Sequence, residues 1–145
     1  MREIKFRGQC LKSKEMVYGD LIHGVGSKSG NFYILPNKLN LANVKHCDPL
    51  YGVHVDPITV GQFSGLYDKN GNEIWEDDIY EGNVKGDYYK VFEKAGSFCG
   101  GKNYETSTPL GWDLNAESVE VFEGLTNWIS IIGNRFENPE LLWTN

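Results

Sequence analysis

Short apolar stretches separated by Gly, Pro, Asn and Asp run along the whole chain, a spacing typical of strands joined by turns. Near the start, Ile4 and Phe6 alternate with Lys5 and Arg7, which predicts a half-buried strand with the two pairs on opposite faces. The run at residues 16–22 predicts a second strand, so residues 3–22 form a predicted hairpin. Residues 32–35 predict a third strand, which ends at Pro36.

The strongest hairpin signal lies at residues 56–80. Asp68 stands at the first position of a four-residue turn, where its side chain can hydrogen-bond to the backbone two residues on. Gly71 stands at the last position, where the backbone needs a positive φ. Strand-favouring residues flank this turn, and they are Val60, Phe63, Leu66, Tyr67, Ile74 and Trp75. Two such arms around an Asn-Gly turn predict a β-hairpin.

The second half of the chain carries shorter signals. Residues 88–92 predict a strand, and residues 94–111, rich in Gly, Ser, Thr and Asn, predict a long loop or a hairpin tip. Residues 117–122 alternate loosely and fit a strand or, with Asn115 as a cap, a short helix. Residues 128–132 predict a buried strand. Asn138, followed by Pro and Glu, predicts the start of a short C-terminal helix.

Composition supports a mainly β fold of ordinary domain size. The 145 residues include 7 Phe, 8 Tyr, 4 Trp and 17 Gly, a balance that favours strands and turns over a helical bundle. The net charge of −6 argues against a general nucleic-acid binder, although a local basic face would survive that average. Three scattered cysteines, Cys10, Cys47 and Cys99, are typical of free thiols in a reducing compartment. With no secretory signal and no membrane-length apolar run, the sequence predicts a cytoplasmic protein without a membrane partner.

Three blocks of sequence resemble the YopX family of phage and prophage proteins. They are residues 2–8 with residues 17–20, the central residues 55–80, and the closing residues 131–142. The blocks occur in the family's order at both ends and in the middle, whereas residues 81–127 carry no resemblance. Asp77 stands where the family's usual Gly-Asp-Ile has its Gly, so the local turn departs from the family's pattern.

The resemblance implies an SH3-like small barrel for residues 56–145, preceded by an N-terminal β-hairpin region at residues 1–55 and ending in a short C-terminal helix. It also implies self-association, with a trimer as one form. The biochemical role of the family is unassigned, so the resemblance implies no catalytic and no binding residue. The predicted fold class is mainly β, with the two regions as separate parts or as one compact unit.

The densest set of residue types that bind metals is His46, Cys47, Asp48, His54 and Asp56. His54 and Asp56 are two residues apart and would share one face of a strand, and zinc accepts His, Cys and carboxylate ligands. Cys47 lacks a second cysteine at the spacing of a zinc knuckle, so polar residues of a loop and strand start are the favoured interpretation. A metal-dependent enzyme at this segment is the least favoured of three functions.

Other candidate sites lack residues that their kind of site requires. Residues 24–30 are rich in Gly, but Ser stands where phosphate-binding loops need Gly, so a hairpin loop is favoured. Neither Cys47 nor Cys99 has a base placed for nucleophilic catalysis. Four acidic residues match no EF-hand spacing and fit a solvated acidic turn; they are Glu73, Glu76, Asp77 and Asp78.

The remaining candidate surface is basic. Positive charge gathers on the predicted N-terminal hairpin, where phosphate groups could bind; the residues are Arg2, Lys5, Arg7 and Lys12, followed by Lys14. A charged sheet edge that prevents strand-to-strand aggregation is the favoured alternative.

The YopX resemblance implies a phage or prophage accessory protein, and the absence of a convincing catalytic set predicts that it is not an enzyme. It would be an oligomeric, mainly β module in the cytoplasm of a bacterial host, would bind a host or phage protein, and would need no metal or cofactor. The alternative is a nucleic-acid-binding SH3-like module that uses the basic N-terminal hairpin.

Overall fold

A computed structural model of the protein describes residues 3–36, 47–48, 51–81, 84–94, 96–102, 108–109 and 128–143. The described residues form a mainly β fold, as the sequence predicts. The strands are β1 (Phe6–Gln9), β2 (Met16–His23), β3 (Phe32–Pro36), β4 (Cys47–Asp48), β5 (Gly52–Val55), β6 (Gly61–Tyr67), β7 (Glu73–Trp75), β8 (Asp78–Glu81), β9 (Tyr88–Lys94), β10 (Ser97–Gly101), β11 (Thr108–Pro109) and β12 (Ser130–Asn134). One α-helix, α1 (Glu140–Trp143), and two 3-10 turns, Gly26–Lys28 and Pro57–Thr59, complete the described elements.

The chain divides into two compact units, Met1–Phe63 and Ser64–Asn145. The boundary lies within β6, whose first residues pair with β1. In the first unit the strand order is β4-β5-β3-β2-β1-β6. In the second unit the rest of β6 is followed by β7, and a five-stranded sheet has the order β11-β10-β9-β8-β12.

The predicted N-terminal hairpin is confirmed by the antiparallel pairing of β1 with β2. Just beyond its pairing with β2, the end of β1 also meets β5. There the Asp56 N–H donates to Gln9 O (2.9 Å), and the Leu11 N–H donates to His54 O (3.2 Å). The sheet of the first unit is therefore strongly curved. The first unit contains a buried apolar cluster of Cys10, Ile34, Val53 and Val55.

The predicted pattern of burial at residues 4–7 is wrong for Ile4 and Arg7. Ile4 lies before β1 and is 61% exposed, whereas Arg7 is only 3% exposed. Arg7 is buried because it lies in the middle of three strands, opposite Tyr18 of β2 and Gly61 of β6. Charge alone therefore does not decide which side of this strand faces solvent.

The second unit confirms the predicted strand at residues 88–92, which is β9. Residues 94–111 contain a hairpin, because β10 pairs with both β9 and β11. The predicted strand at residues 128–132 is β12, but it begins at Ser130, and Trp128 is 63% exposed and not buried. The core of this unit is a cluster of buried apolar side chains, namely Ile74, Tyr80, Val91, Phe98 and Ile129.

The central hairpin forms as predicted from β6, the turn and β7. The Gly71 N–H donates to Asp68 O (3.0 Å), and the Asn70 N–H donates to Asp68 Oδ1 (2.9 Å). Gly71 has a φ of +81°. The turn therefore uses Asp and Gly at the two positions for the two reasons that the sequence indicates.

The predicted short C-terminal helix is α1. The Leu141 N–H donates to Asn138 O (3.2 Å), as expected for a residue that precedes a helix. The Asn138 side chain has another role, because its Oδ1 accepts from the Asn134 N–H (3.2 Å). None of the helices that the structure describes is long and apolar enough to cross a membrane.

Among the described strands, the second unit does not close into a barrel, because β11 and β12 stand at opposite ends of its five-stranded sheet. Residues 117–122, predicted as a strand or a short helix, lie outside the described residues.

Replacing Gly71 with Val should lower the free energy of unfolding by about 1 kcal/mol, because a β-branched residue resists a positive φ. A Cβ at Gly71 would have no heavy atom within 4 Å, so crowding contributes nothing and the cost is that of the backbone alone. Urea unfolding of the wild type and of Gly71→Val measures the difference. Gly71→Asn is the matched control, since Asn tolerates this backbone conformation and should recover most of the loss. Equal stabilities of the wild type and Gly71→Val would contradict this account of the turn.

Candidate functional site

The Asp68 carboxylate joins the central turn to the C-terminal strand. It accepts hydrogen bonds from the backbone N–H groups of Asn70 (2.9 Å), Asn72 (2.8 Å) and Ile131 (2.9 Å). The Asn72 side-chain amide donates a fourth bond to Asp68 Oδ2 (3.2 Å). Three donors are local, whereas Ile131 lies in β12, far along the chain. One side chain therefore fixes the turn and fastens it to a distant strand.

Two more hydrogen bonds strengthen this connection. The Lys69 N–H donates to Ile129 O (3.2 Å), and the Asn70 Nδ2 donates to Ser130 Oγ (2.9 Å). We call residues 68–72 together with residues 128–131 the Asp68 junction. The junction lies beside the core, because Ile129 is buried there while Ile131 packs against the cluster of the second unit.

The electrostatics of the junction favour an ionised Asp68. Burial raises the pKa of the Asp68 carboxyl, but the hydrogen bonds from the N–H groups of Ile131, Asn72 and Asn70 outweigh burial and bring the pKa below its ordinary value. The Asp68 residue is 6% exposed, and hydrogen-bond donors already surround its carboxylate. It is therefore suited to holding structure and not to accepting a proton from a substrate.

Three exposed apolar residues adjoin the segments of the Asp68 junction in sequence. Tyr67 is 50% exposed, Trp128 is 63% exposed and Ile132 is 40% exposed. Tyr67 directly precedes the turn of the junction, Trp128 is the first residue of its second segment, and Ile132 directly follows that segment. We call these three residues the junction surface. Large apolar side chains in solvent are suited to contacts with another protein, and Trp and Tyr contribute strongly to such contacts.

Comparison with known proteins gives the chain a family. The model of the YopX protein family matches residues 5–143, nearly the whole chain. The chain belongs to the YopX family. The crystal structure of protein EF1440 from Enterococcus faecalis is similar to this chain at 20% sequence identity, covering 98% of this chain and 99% of that chain, with a TM-score of 0.48. No curated protein matches the chain.

The position at which this chain departs from the usual YopX pattern keeps its turn. Asp77 has a φ of +68°, the left-handed conformation that Gly adopts easily. Its N–H donates to Val91 O (2.9 Å), and its carbonyl accepts from the Arg135 N–H (2.9 Å). The Asp77 carboxylate in turn forms ion pairs with Lys90 (3.2 Å) and Arg135 (3.7 Å). Asp at this position therefore brings contacts that Gly would lack.

The four acidic residues of the central segment do not form a shared carboxylate site. Asp78 is 2% exposed and accepts the Trp75 N–H (2.7 Å), whereas Asp77 faces two cations. Glu73 and Glu76 are each half-buried. In the described residues, no group of three or more His, Cys, Asp or Glu side chains is placed to hold a metal ion.

The structure describes two of the predicted metal ligands, and each has another contact. The His54 ring stacks on the ring of Tyr33, with centroids 5.0 Å apart. Asp56 Oδ1 accepts the Ile58 N–H (3.1 Å) at the start of a 3-10 turn. The side chains of the other three predicted ligands, His46, Cys47 and Asp48, lie outside the described residues.

The basic residues of the N-terminal region lie in different surroundings. The Lys5 side chain is 13% exposed and pairs with Glu3 (3.6 Å), and its Nζ lies over the Phe63 ring (4.6 Å from the centroid). Arg7 is buried. Lys12 is exposed in the turn between β1 and β2, as is the following Lys14. Arg2 lies outside the described residues.

The cysteines and the glycine-rich segment have structural surroundings. Cys99 is 3% exposed, with its Sγ 3.8 Å from the carbonyl of Ser97. Burial raises the pKa of the Cys10 thiol, but hydrogen bonds from the Ser13 hydroxyl and from the N–H groups of Ser13 and Lys12 outweigh it, so the pKa lies below its ordinary value. Cys10 is nonetheless only 3% exposed. Residues 24–30 form the predicted loop, with an exposed 3-10 turn at Gly26–Lys28.

Sequence reasoning missed one polar cluster of the second unit. The Tyr89 hydroxyl donates to Asp87 Oδ2 (2.5 Å), and Lys102 pairs with the same carboxylate and lies over the Tyr89 ring. The Tyr89 ring stacks on that of Tyr80, whose burial raises the pKa of the Tyr80 hydroxyl well above its ordinary value. A Cβ at Gly100 would collide with the Tyr80 hydroxyl, so Gly is required there. No local sequence pattern links the residues of this cluster, because they lie on three separate strands or at the ends of those strands.

Replacing Asp68 with Asn should lower the free energy of unfolding at neutral pH by about 2 kcal/mol or more. The NH₂ group of Asn would face N–H groups that now donate to the Asp68 carboxylate, and two donors form no hydrogen bond with each other. The pH dependence should also change. Because the folded pKa of Asp68 is depressed, its stabilisation is present above the ordinary Asp pKa of about 3.9 and is lost as pH falls below it. Asp68→Asn should lose that part of the acid dependence.

Urea unfolding across a pH series measures both effects. Asp20→Asn, at an exposed position of β2, is the matched control and should change stability by less than about 0.5 kcal/mol. If Asp68→Asn matches Asp20→Asn at every pH, the carboxylate does not hold the junction.

Asp77 allows the cost of its backbone conformation to be separated from the gain of its ion pairs. Asp77→Ala and Asp77→Gly both remove the carboxylate, but only Ala keeps a Cβ at positive φ. Asp77→Ala should therefore be less stable than Asp77→Gly by about 1 kcal/mol. Thermal melts at low and high salt measure the order. A more stable Ala variant would contradict the left-handed conformation of Asp77.

Proposed function

We propose that this YopX-family protein is a non-enzymatic phage or prophage accessory protein that self-associates and binds a protein partner in the cytoplasm of a bacterial host. The observation that carries the proposal is the junction surface. Tyr67, Trp128 and Ile132 are exposed apolar residues on a segment held by the Asp68 carboxylate. A surface that is already rigid loses little conformational entropy when a partner binds. More of the free energy gained by burying the surface therefore contributes to affinity.

The chemistry of the buried polar groups supports the non-enzymatic part of the proposal. An acid or base catalyst needs a titratable group aimed at a substrate. Asp68 and Asp78 are the buried carboxylates of the described residues, and each accepts backbone N–H groups of its own fold. The described residues also lack a group of metal ligands. These carboxylates therefore act as structural acceptors in the proposal.

Self-association, with a trimer as one form, is the first binding event that we propose. Trp128 is the largest side chain of the junction surface and belongs to the residue types that contribute most to interfaces. In a two-fold dimer this surface would meet its own copy, whereas in a trimer it would meet a different patch of the next copy. A host or phage protein would use the same kind of contact.

An SH3-like architecture for residues 56–145 is the finer fold that we propose alongside this function. Support comes from the five short strands of the second unit and from the irregular pairing between Ile131 and Gly133 of β12. A bulge of this kind bends a strand, as small barrels require.

Nucleic-acid binding through the basic N-terminal hairpin receives less support from the described geometry. Arg7 is buried and the Lys5 side chain is largely covered, which leaves Lys12 and Lys14 as the exposed basic residues of that turn. Affinity for DNA or RNA that falls steeply with added salt would favour this alternative, since phosphate contacts release counterions.

Replacing Trp128 with Ser should weaken self-association by about tenfold or more, because loss of an aromatic anchor commonly costs over 1 kcal/mol of binding energy. Sedimentation velocity over a range of protein concentrations measures the dissociation constant. Ile58→Ser is the matched control, since Ile58 is 70% exposed in the first unit and is not part of the junction surface.

The wild type should form an oligomer, Ile58→Ser should behave like it, and Trp128→Ser should shift towards the monomer. A wild type that is monomeric at every concentration would overturn the proposed self-association. Equal association of the two variants would exclude the junction surface as the interface.

A further inference from the structure

Asn70 and Gly71 form the one Asn-Gly pair of the sequence. Both residues are exposed, and no heavy atom lies within 4 Å of the place where a Cβ of Gly71 would be. An Asn followed by Gly is prone to loss of its side-chain amide, because Gly has no side chain to shield the attacking backbone nitrogen. We propose that Asn70 is a site of spontaneous deamidation, and that the Asp68 junction controls its rate.

The chemistry needs water and no enzyme. The Gly71 backbone nitrogen loses its proton and attacks Asn70 Cγ, so that a new N–C bond closes a five-membered imide. The bond from Cγ to Nδ2 breaks, and the amide leaves as ammonia, which carries the proton. Water then adds to one of the two imide carbonyls. Opening at one carbonyl leaves an ordinary aspartate in place of Asn70, and opening at the other gives isoaspartate, in which the former side chain is part of the main chain.

In the folded protein both reacting groups are held. The Gly71 N–H donates to Asp68 O (3.0 Å), so the proton that this nitrogen must lose is held in a hydrogen bond. The Asn70 Nδ2 donates to Ser130 Oγ (2.9 Å), which fixes the amide towards β12. The Asn70 N–H is also bound, to Asp68 Oδ1. Ring closure therefore requires the turn to release Asp68 and Ser130 first.

Either product would alter the junction. Both products put a second negative charge on the turn, on a residue whose backbone N–H binds the Asp68 carboxylate, and like charges that are close together repel. Isoaspartate also lengthens the main chain between residues 70 and 71. The Asn72 N–H, which now donates to Asp68 Oδ1 (2.8 Å), would then be displaced. Deamidation at Asn70 is thus a chemical change that loosens the attachment of the central turn to β12.

The test compares Ser130→Val with Ser130→Thr. The two replacements have nearly the same shape and suit a strand equally, but only Thr keeps a hydroxyl for the Asn70 amide. Each variant and the wild type are incubated at mildly alkaline pH, and the aspartate and isoaspartate formed from Asn70 are measured by peptide mapping and mass spectrometry. Asn70→Gln is the control for deamidation elsewhere in the chain.

We expect Ser130→Thr to react at the wild-type rate and Ser130→Val to react about three to ten times faster, as loss of one hydrogen bond predicts. The wild type unfolded in urea should react faster than either folded protein. Equal rates for Ser130→Val and Ser130→Thr would overturn the proposed control by the junction. If Ser130→Val does not fold, the wild type decides alone, and equal rates in its folded and unfolded states would overturn the proposal.

Discussion

A buried aspartate with four donors around it is the constraint on which the second unit depends. Leaving a buried carboxylate without partners costs several kcal/mol, whereas each hydrogen bond to a charged group contributes about 1.5 to 3 kcal/mol. Asp68 therefore stabilises the fold only when Asn70, Asn72 and Ile131 all deliver their N–H groups. The turn and the C-terminal strand must form together, because neither completes the set alone.

The contacts between the turn and β12 also protect one edge of the second sheet. β12 stands at one end of the five-stranded sheet, and an open strand edge invites pairing with another chain. Here the Asp68 carboxylate occupies the Ile131 N–H, and Lys69 occupies the Ile129 carbonyl. The turn thus caps the edge without adding a strand. Association at this place has to use side chains, and Trp128 is the most exposed of the three residues of the junction surface.

Local signals in the sequence were sufficient for the central hairpin, for β1 to β3, for β9 and for the C-terminal helix, but not for the partners of these elements. The turn at residues 68–71 and the strands on either side follow from the positions of Asp, Gly and the branched residues, all within a short window. The bond from Ile131 to Asp68 spans 63 residues, and no local pattern encodes it. The YopX resemblance indicated the family and included residues 131–142, but it did not indicate which of these residues would contact the turn.

Burial was the least predictable property, for a physical reason. A pattern of apolar and charged residues assigns faces by chemistry alone, while the structure assigns them by neighbours. Arg7 is enclosed because strands lie on both sides of it, and Trp128 is exposed because β12 begins only at Ser130. The backbone conformation of Asp77 also depends on its neighbours. Asp77 replaces the usual Gly, yet it keeps the left-handed conformation and adds ion pairs.

These misplaced residues bear directly on function. With Arg7 buried and the Lys5 side chain largely covered, the exposed positive charge of the described N-terminal hairpin lies in the turn between β1 and β2. If Trp128 had been buried, the Asp68 junction would be structural and nothing more. Burial of Arg7 therefore weakens the electrostatic alternative, and exposure of Trp128 contributes to the junction surface. Burial adds to what composition indicates, since the net charge of −6 argues against general nucleic-acid binding but leaves room for a small local basic site.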